Sequence, residues 1–283
     1  MSTTRLLSEI GKKDISEVGV NAALLGELSC NNFVISDGFV IPSRVAAKFI
    51  EGCGYIEQIH NAIAHYEAAL KQTTFTPSEK TSESILTTNT FLHDILTSAL
   101  SLNSKFLRVS LSLVAQQMDA HSALSVFNSY QVQVPDIFGA IQERVKTFRK
   151  LRTELEATNT NPYMNESIEL ALIVQRYQPA PSVISYTYDQ EEKSVYMEYG
   201  DSLESIRMGN VEVKHIVMDQ ENLDLSSLLI PKKYQASLSK ILHLHNQISE
   251  LIGLPLEICW DLCEPLQITG IRVVKESVKE FAP

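Results

Sequence analysis

The fold is decided by residues 168–218, which read IELALIVQRYQPAPSVISYTYDQEEKSVYMEYGDSLESIRMGNVEVKHIVM. Runs of apolar and β-branched residues alternate here with segments rich in proline, glycine and charged residues, a pattern typical of short strands joined by turns. The runs predict four strands, at residues 170–177, 183–188, 195–199 and 211–217. We expect these four strands to form one antiparallel sheet with one face covered.

The rest of the chain has mostly helical periodicity. Apolar residues recur every three or four positions, which is the spacing of a helix with one buried stripe. Residues 106–114 alternate instead like a strand. These patterns predict an α+β fold with a helical N-terminal half around small sheets, and a C-terminal half in which a helix packs on the antiparallel sheet. The predicted helices lie at residues 14–28, 43–51, 56–70, 91–100, 135–155 and 237–252.

The composition excludes several classes of partner. The 283 residues carry a formal net charge of −10, whereas a nucleic-acid-binding protein needs clustered lysine and arginine for phosphate contacts. No apolar run has the length of a signal-peptide core or a membrane span. Four cysteines at irregular spacing indicate reduced thiols rather than a disulfide framework. We therefore expect a cytoplasmic protein that binds neither nucleic acid nor membrane.

Six segments of the chain carry a resemblance to a known family. In chain order they are VGVNAALLGEL (18–28), SDGFVIPSRVAAKFI (36–50), LRVS (107–110), LALIVQRYQPAPSVISYTYD (170–189), YGDSLESIRMGNVEVKHIVM (199–218) and GLPLEICWDLCEPLQITGIRVV (253–274). Together they resemble the nucleotide-binding domain of pyruvate phosphate dikinases and phosphoenolpyruvate synthases. The resemblance implies an ATP-grasp fold with ATP as its cofactor, an N-terminal part at residues 1–165 and a C-terminal subdomain at residues 166–283.

The resemblance assigns nucleotide-binding roles to five residues. The arginine of the family's V-R-S-S motif contacts ATP phosphates, and it matches Arg108. The V-Q-R-M strand that borders the nucleotide pocket matches at Gln175 and Arg176, and the glutamate of W-G-L-G-E matches Glu204. Arg272 matches the arginine of the closing motif. Taken without the resemblance, Arg108 has a second interpretation, as a strand arginine paired with a neighbouring acid.

Departures from the family pattern affect the phosphate and metal positions. Asn21 stands where the family has the lysine that neutralises ATP phosphates, and an amide brings no positive charge. Residues 121–136, which correspond to the family's glycine-rich phosphate loop, contain no glycine. Cys259 and Gly270 replace the metal-binding glutamate and glutamine, and a thiol is a poor ligand for Mg²⁺. The catalytic residues are therefore unknown, and the departures argue against Mg²⁺ binding.

Glu257 and Asp261 offer a route to a rebuilt metal site. Both carboxylates have the same strand parity as Cys259, so all three side chains point the same way if the strand is regular. In that arrangement the two carboxylates clasp Mg²⁺ on either side of the thiol.

Two functions are compatible with this sequence. Loss of the lysine, the glycine-rich loop and both metal ligands together favours a degenerate ATP-grasp-type domain, catalytically weak or inactive, that acts as a nucleotide-binding or protein-binding partner. The alternative is a divergent ATP-dependent phosphotransferase. Because the family's phosphohistidine and pyruvate-binding domains have no counterpart in this sequence, we expect its phosphoryl acceptor to be a small molecule or a partner protein.

Overall fold

The described residues form two antiparallel sheets of five strands each, and the predicted strands are among these ten. Six α-helices accompany the sheets in the part of the chain that the structure describes, so the predicted α+β class is confirmed. None of these helices is long and apolar enough to cross a membrane. The predicted helix at residues 56–70 lies outside the described residues. The computed structural model describes residues 3–51, 83–114, 130–157, 168–187, 194–208, 214–219 and 231–274.

The strands and helices are numbered in chain order. The strands are β1 (Arg5–Leu6), β2 (Gly38–Ile41), β3 (Phe106–Val114), β4 (Tyr130–Gln133), β5 (Glu169–Tyr177), β6 (Ser182–Tyr186), β7 (Ser194–Gly200), β8 (Lys214–Asp219), β9 (Leu256–Asp261) and β10 (Gln267–Val273). The helices are α1 (Ile15–Cys30), α2 (Ser43–Glu51), α3 (Glu83–Ser101), α4 (Ile137–Ala157), α5 (Leu203–Met208) and α6 (Lys232–Ile252).

The first sheet has the strand order β1–β2–β5–β3–β4, and the second has the order β10–β9–β6–β7–β8. The prediction that residues 170–177 share a sheet with the three following strands is therefore wrong, because β5 pairs with β2 and β3. Its residues from 170 to 175 are buried on both faces, which suits a central strand. The proline-containing residues 178–181 then connect β5 to the second sheet. The division predicted between residues 165 and 166 consequently falls just before a strand of the first sheet.

One face of the first sheet is covered by α2, α3 and α4, whose apolar residues form a core with the sheet. The odd-numbered residues of β3 from Leu107 to Leu113 point into this core. Because neighbouring residues of a strand point to opposite faces, Arg108, Ser110 and Ser112 lie on the other face. All three of these polar residues are buried, so the other face of the sheet is covered as well.

Helix α1 covers that other face and also packs against the second sheet. Its apolar residues belong to a single cluster that contains Ile173 of β5, Val183 of β6 and Trp260 of β9. The same cluster includes Ile241 of α6, which packs on the second sheet. The two sheets are therefore joined through a common core that contains α1 and α6.

The predicted helix at residues 14–28 is confirmed as α1, with a break at Gly19. Gly19 has φ 76° and ψ 166°, a backbone conformation that is essentially limited to glycine. A Cβ atom there would lie 2.5 Å from the carbonyl oxygen of Leu113 and 2.5 Å from Oγ of Ser112. Ser112 Oγ accepts a hydrogen bond of 3.1 Å from the backbone N–H of Ala22. The glycine thus lets the start of the regular helix approach β3 closely.

We predict that Gly19→Ala lowers the free energy of unfolding by at least about 2 kcal/mol, because it adds backbone strain and a clash with a main-chain carbonyl. Denaturant unfolding followed by circular dichroism measures the change. The matched control is Gly139→Ala, since Gly139 lies in α4 and a Cβ there meets nothing within 4 Å. That control should be neutral or stabilising by about 0.5–1 kcal/mol. Equal effects of the two substitutions would contradict the assigned role of Gly19.

Candidate functional site at the junction of the two sheets

A row of three polar side chains crosses the first sheet. Arg108 of β3 pairs in register with Gln131 of β4 on one side and with Gln175 of β5 on the other. Residues that are directly opposite each other on paired strands share one face of the sheet. Arg108 is only 2% exposed and Gln175 is completely buried. The row therefore lies on the polar face of β3.

Arg108 forms an ion pair with Asp261, the last residue of β9 in the second sheet. Nη1 of the arginine lies 3.2 Å from Oδ2 of the aspartate, and Nη2 donates to Oδ1 at 3.4 Å. Ser182, the partner of Asp261 in β6, donates a 2.9 Å hydrogen bond to the same Oδ1. The guanidinium also lies 4.7 Å from the ring centre of Tyr177. This buried cluster connects the first sheet to the second.

A second carboxylate, that of Glu204, also acts on Arg108. Glu204 lies in the first turn of α5 and accepts a hydrogen bond from Gln131 Nε2. Burial by itself lowers the pKa of Arg108, but the charges of Asp261 and Glu204 outweigh burial and raise that pKa above its ordinary value. Arg108 is therefore positively charged and faces two negative charges. A phosphate group brought to this position would compete with these two carboxylates for the guanidinium.

Some buried atoms of the cluster have no hydrogen-bond partner among the described residues. They are Nε and Nη1 of Arg108 and Oε1 of Gln175. Nη1 is nevertheless at ion-pair distance from Asp261. On the amide side, Gln175 Nε2 donates weakly to the carbonyl oxygen of Ser36 at 3.4 Å. The row of polar groups is thus buried but incompletely hydrogen-bonded within the described part of the chain.

A separate cluster surrounds Glu257 at the other end of β9. Its buried carboxylate accepts hydrogen bonds from Arg207 of α5 and from Arg272, the residue opposite Glu257 in β10. Burial by itself lowers the pKa of Arg207. The combined effect of Cys259 and Glu257 is larger and opposite, so the pKa of Arg207 is raised above its ordinary value. The arginine that the resemblance assigns to the nucleotide, Arg272, is therefore in an ion pair on the surface of the second sheet.

Cys259 lies between the two clusters. The prediction that Glu257, Cys259 and Asp261 share one strand face is confirmed, because β9 pairs with β6 in unbroken register through these residues. Cys259 is completely buried in an apolar cluster with Ile184 of β6 and with Leu203 and Ile206 of α5. Burial raises the pKa of its thiol to about 11 in spite of the nearby Arg207. The thiol is therefore neutral. Its neighbours are these apolar side chains and the guanidinium of Arg207, whose Nη2 donates to Sγ at 3.9 Å.

The geometry does not suit the expected clasp of Mg²⁺ by Glu257 and Asp261. Four residues along a strand separate their Cα atoms by roughly 13 Å, too far for both short side chains to reach one ion. Each carboxylate is also paired with arginine. The described residues contain no group of three or more His, Cys, Asp or Glu side chains that could hold a metal ion.

The structure brings together three of the five nucleotide-binding residues predicted from the resemblance: Arg108, Gln175 and Glu204. Arg176 has the opposite strand parity from Gln175 and is exposed, so it does not join them. Arg272 lies in the separate cluster around Glu257. Asn21, at the family's lysine position, is buried in α1 two residues after Gly19.

Sequence reasoning missed the other members of the site. Gln131, Tyr177 and Ser182 have no signal of their own in the sequence, because each joins the site through strand register or through contact between the sheets. Arg207 was also missed, since the short helix that carries it lay in a segment predicted as a turn. The sequence predicted that an acidic residue could pair with Arg108, but it did not indicate that this residue is Asp261.

No protein-family model matches the chain, and no curated protein sequence matches it either. Among solved structures, the chain is similar to the crystal structure of PH1788 from Pyrococcus horikoshii Ot3. The TM-score is 0.34 and the sequence identity is 12%, and the match covers 82% of this chain and 98% of that chain. A similarity at this level supports no conclusion about fold family or function.

We predict that Asp261→Asn lowers the free energy of unfolding by about 3–5 kcal/mol, because it leaves the buried guanidinium of Arg108 without a counter-charge. The double variant Arg108→Met, Asp261→Leu removes both charges and should recover most of that loss. Denaturant unfolding of the wild type and the two variants measures the loss and its recovery.

The exposed pair of Glu143 and Lys146 provides the control. Their side chains are 46% and 68% exposed, so Glu143→Gln should change the free energy of unfolding by less than about 0.5 kcal/mol. A loss below about 1 kcal/mol for Asp261→Asn would contradict the importance of the buried pair.

Proposed function

We propose that this protein is a degenerate ATP-grasp-type domain, similar to the nucleotide-binding part of phosphoenolpyruvate synthase, that transfers no phosphate and acts as a protein-binding partner. The observation that carries the proposal is the ion pair between Arg108 and Asp261. The resemblance assigns Arg108 to the phosphates of ATP. Here its charge is balanced by a buried carboxylate of the second sheet, so the residue contributes to structure instead.

The carboxylates beside Arg108 compete with a triphosphate for its charge. One guanidinium faces the carboxylates of Asp261 and Glu204. Two unit charges about 4 Å apart interact by about 4 kcal/mol at the effective dielectric constant typical near a protein surface. Phosphoryl transfer depends on positive charge and metal ions that stabilise the transition state. Because Arg108 is already engaged by protein carboxylates, its charge is less available for that stabilisation.

The position that the resemblance assigns to a metal ligand supports the same proposal. Cys259 is neutral and packs against Ile184, Leu203 and Ile206. Magnesium needs oxygen ligands and usually retains several waters, neither of which fits an apolar cluster. Helix α5 thus contributes two apolar side chains and the cation of Arg207 at the position where catalysis would require a hydrated metal ion.

We infer a protein rather than a nucleotide as the partner. A nucleotide phosphate reaches Arg108 only by displacing Asp261 from a buried ion pair, which costs several kcal/mol. A protein partner needs only exposed surface and leaves the junction of the two sheets intact. The buried clusters then act as the framework that holds that surface in place.

A divergent ATP-dependent phosphotransferase is the second candidate, and one observation favours it. Arg108, Gln175 and Glu204, which the resemblance assigns to the nucleotide, lie in one cluster. Oε1 of Gln175 and Nε of Arg108 also have no hydrogen-bond partner among the described residues. A polar ligand that reached them would satisfy both atoms.

Thermal-shift titration with ATP, ADP and AMP, each with and without Mg²⁺, tests the proposal. We predict no change in Tm, because the phosphate position is neutralised and the metal position is apolar. A nucleotide present at a hundred times its Kd would stabilise the folded state by about 2.7 kcal/mol, a shift of about 5 °C or more. A phosphate-release assay with Mg²⁺ should likewise give no turnover above the rate without protein.

The matched variant is the double substitution Arg108→Met, Asp261→Leu, which removes the arginine together with its counter-charge. A rise in Tm with ATP in the wild type that this variant abolishes would favour the second candidate. Mg²⁺-dependent phosphate release in the wild type alone would overturn the proposed loss of catalysis.

A further inference from the structure

A buried hydrogen-bond chain crosses the core of the second sheet. Trp260 of β9 donates through Nε1 to Oγ of Ser185 in β6 at 2.7 Å. The same Oγ lies 2.8 Å from Nδ1 of His245 in α6. Ser185 and His245 are completely buried, and Trp260 is 1% exposed. Three polar side chains thus tie α6 to the sheet inside an otherwise apolar core.

The indole of Trp260 fixes one direction in this chain. An indole N–H can only donate, so Ser185 accepts from Trp260. The hydroxyl hydrogen of Ser185 is then available for Nδ1 of the neutral His245 tautomer that carries its proton on Nε2. Nε2 has no hydrogen-bond partner among the described residues. Oγ of Ser249, one helical turn further along α6, is also buried without a partner.

Protonation of His245 disrupts this arrangement. Both ring nitrogens of an imidazolium are donors, so Nδ1 can no longer accept from Ser185 and the serine hydroxyl must turn away. The ring then carries a buried charge, and both its Nε2–H and the serine hydroxyl lack acceptors. Buried donors and charges without partners destabilise the folded arrangement that contains them.

Within the described residues, no strand of the second sheet presents a carboxylate on the face that packs against α6. The carboxylates of β7, β8 and β9 and Arg272 of β10 lie on the opposite face, and β6 contains no charged residue. Lys214 of β8 is on the α6 face, where it pairs in register with Tyr199. The titratable side chains of Tyr199 and Tyr234 contact each other, about three turns along α6 from the histidine. Burial is accordingly the cause that lowers the pKa of His245 from 6.5 to about 4. The remaining titratable residues near this part of α6 are exposed, namely Lys240, His243 and Glu250.

We propose that His245 is an acid-sensitive latch, whose protonation releases α6 from the second sheet while the first sheet stays folded. Local release is possible because the core of the first sheet under α2, α3 and α4 contains no residue of α6. The apolar residues of α6 pack only in the other cluster, through Leu238, Ile241, Leu242 and Ile248. Its release would expose apolar surface of the second sheet in mildly acidic solution.

The direction of the pH effect follows from the two pKa values. A histidine whose pKa is lower in the folded state stabilises that state fully above pH 6.5, and the contribution is lost as pH falls from 6.5 towards 4. A pKa difference of this size changes the equilibrium between docked and released α6 by up to about 300-fold.

Hydrogen exchange between pH 7 and pH 4 tests the latch. Protection factors of the α6 amides (residues 232–252), corrected for the intrinsic pH dependence of exchange, should fall by up to about 100-fold, because His245 is only half protonated in the docked state at pH 4. Those of β3 and β5 should change little. Trp260 is the single tryptophan of the chain, so its fluorescence reports the same event at its hydrogen-bonded neighbour.

Two variants complete the test. His245→Gln retains a polar side chain that does not titrate, and it should make the α6 protection factors independent of pH. His243→Gln, two residues away and exposed, should leave the wild-type pH dependence unchanged. If His245→Gln does not fold, the test rests on the pH dependence of α6 protection in the wild type and in His243→Gln. The latch is ruled out by α6 protection that changes less than about 3-fold, by equal loss in β3 and β5, or by loss of the pH dependence in His243→Gln.

Discussion

The ion pair between Arg108 and Asp261 is the interaction on which the junction of the two sheets depends. Its partners lie 153 residues apart in the chain, and both are almost completely buried. Such a pair is costly to break, because the remaining charge stays in a medium of low dielectric constant, yet it adds little net stability over an apolar contact. What it provides is specificity: only one placement of β9 against β3 satisfies both charges.

The residues around this pair explain how a nucleotide-site pattern can persist in a protein that we propose to be inactive. Arg108 and Gln175 occupy matched positions on neighbouring strands, so the sheet keeps them together whatever they bind. Their neighbours then decide the chemistry. Asp261 and Glu204 supply the counter-charge that a phosphate would otherwise supply from the ligand. Selection for a stable junction can thus preserve residues after a catalytic role has been lost.

Buried polar groups recur in both parts of the structure, but they do different work. At the junction, opposite charges hold two sheets in register. In the core beneath α6, the neutral side chains of Trp260, Ser185 and His245 orient a helix on its sheet. Helix α1 links the two regions, since it packs against both sheets and approaches β3 closely at Gly19. Its position makes the two sheets one structural unit.

The sequence by itself determined most of the long helices, the longer strands and much of the exposure pattern. Helical periodicity located α1, α4 and α6, and strand parity correctly placed Glu257, Cys259 and Asp261 on one face. Periodicity reports which side of an element is buried, because each element must hide its own apolar residues from water.

Only the tertiary structure decided which elements meet. In the tertiary structure β5 belongs to the first sheet, and Arg176 is exposed. Arg108 pairs with an acid of β9 and not with one on an adjacent strand. The sequence could suggest that a buried arginine needs an acid, but many acids satisfy that requirement equally. The choice among them depends on contacts between residues far apart in the chain, which local patterns of hydrophobicity do not encode.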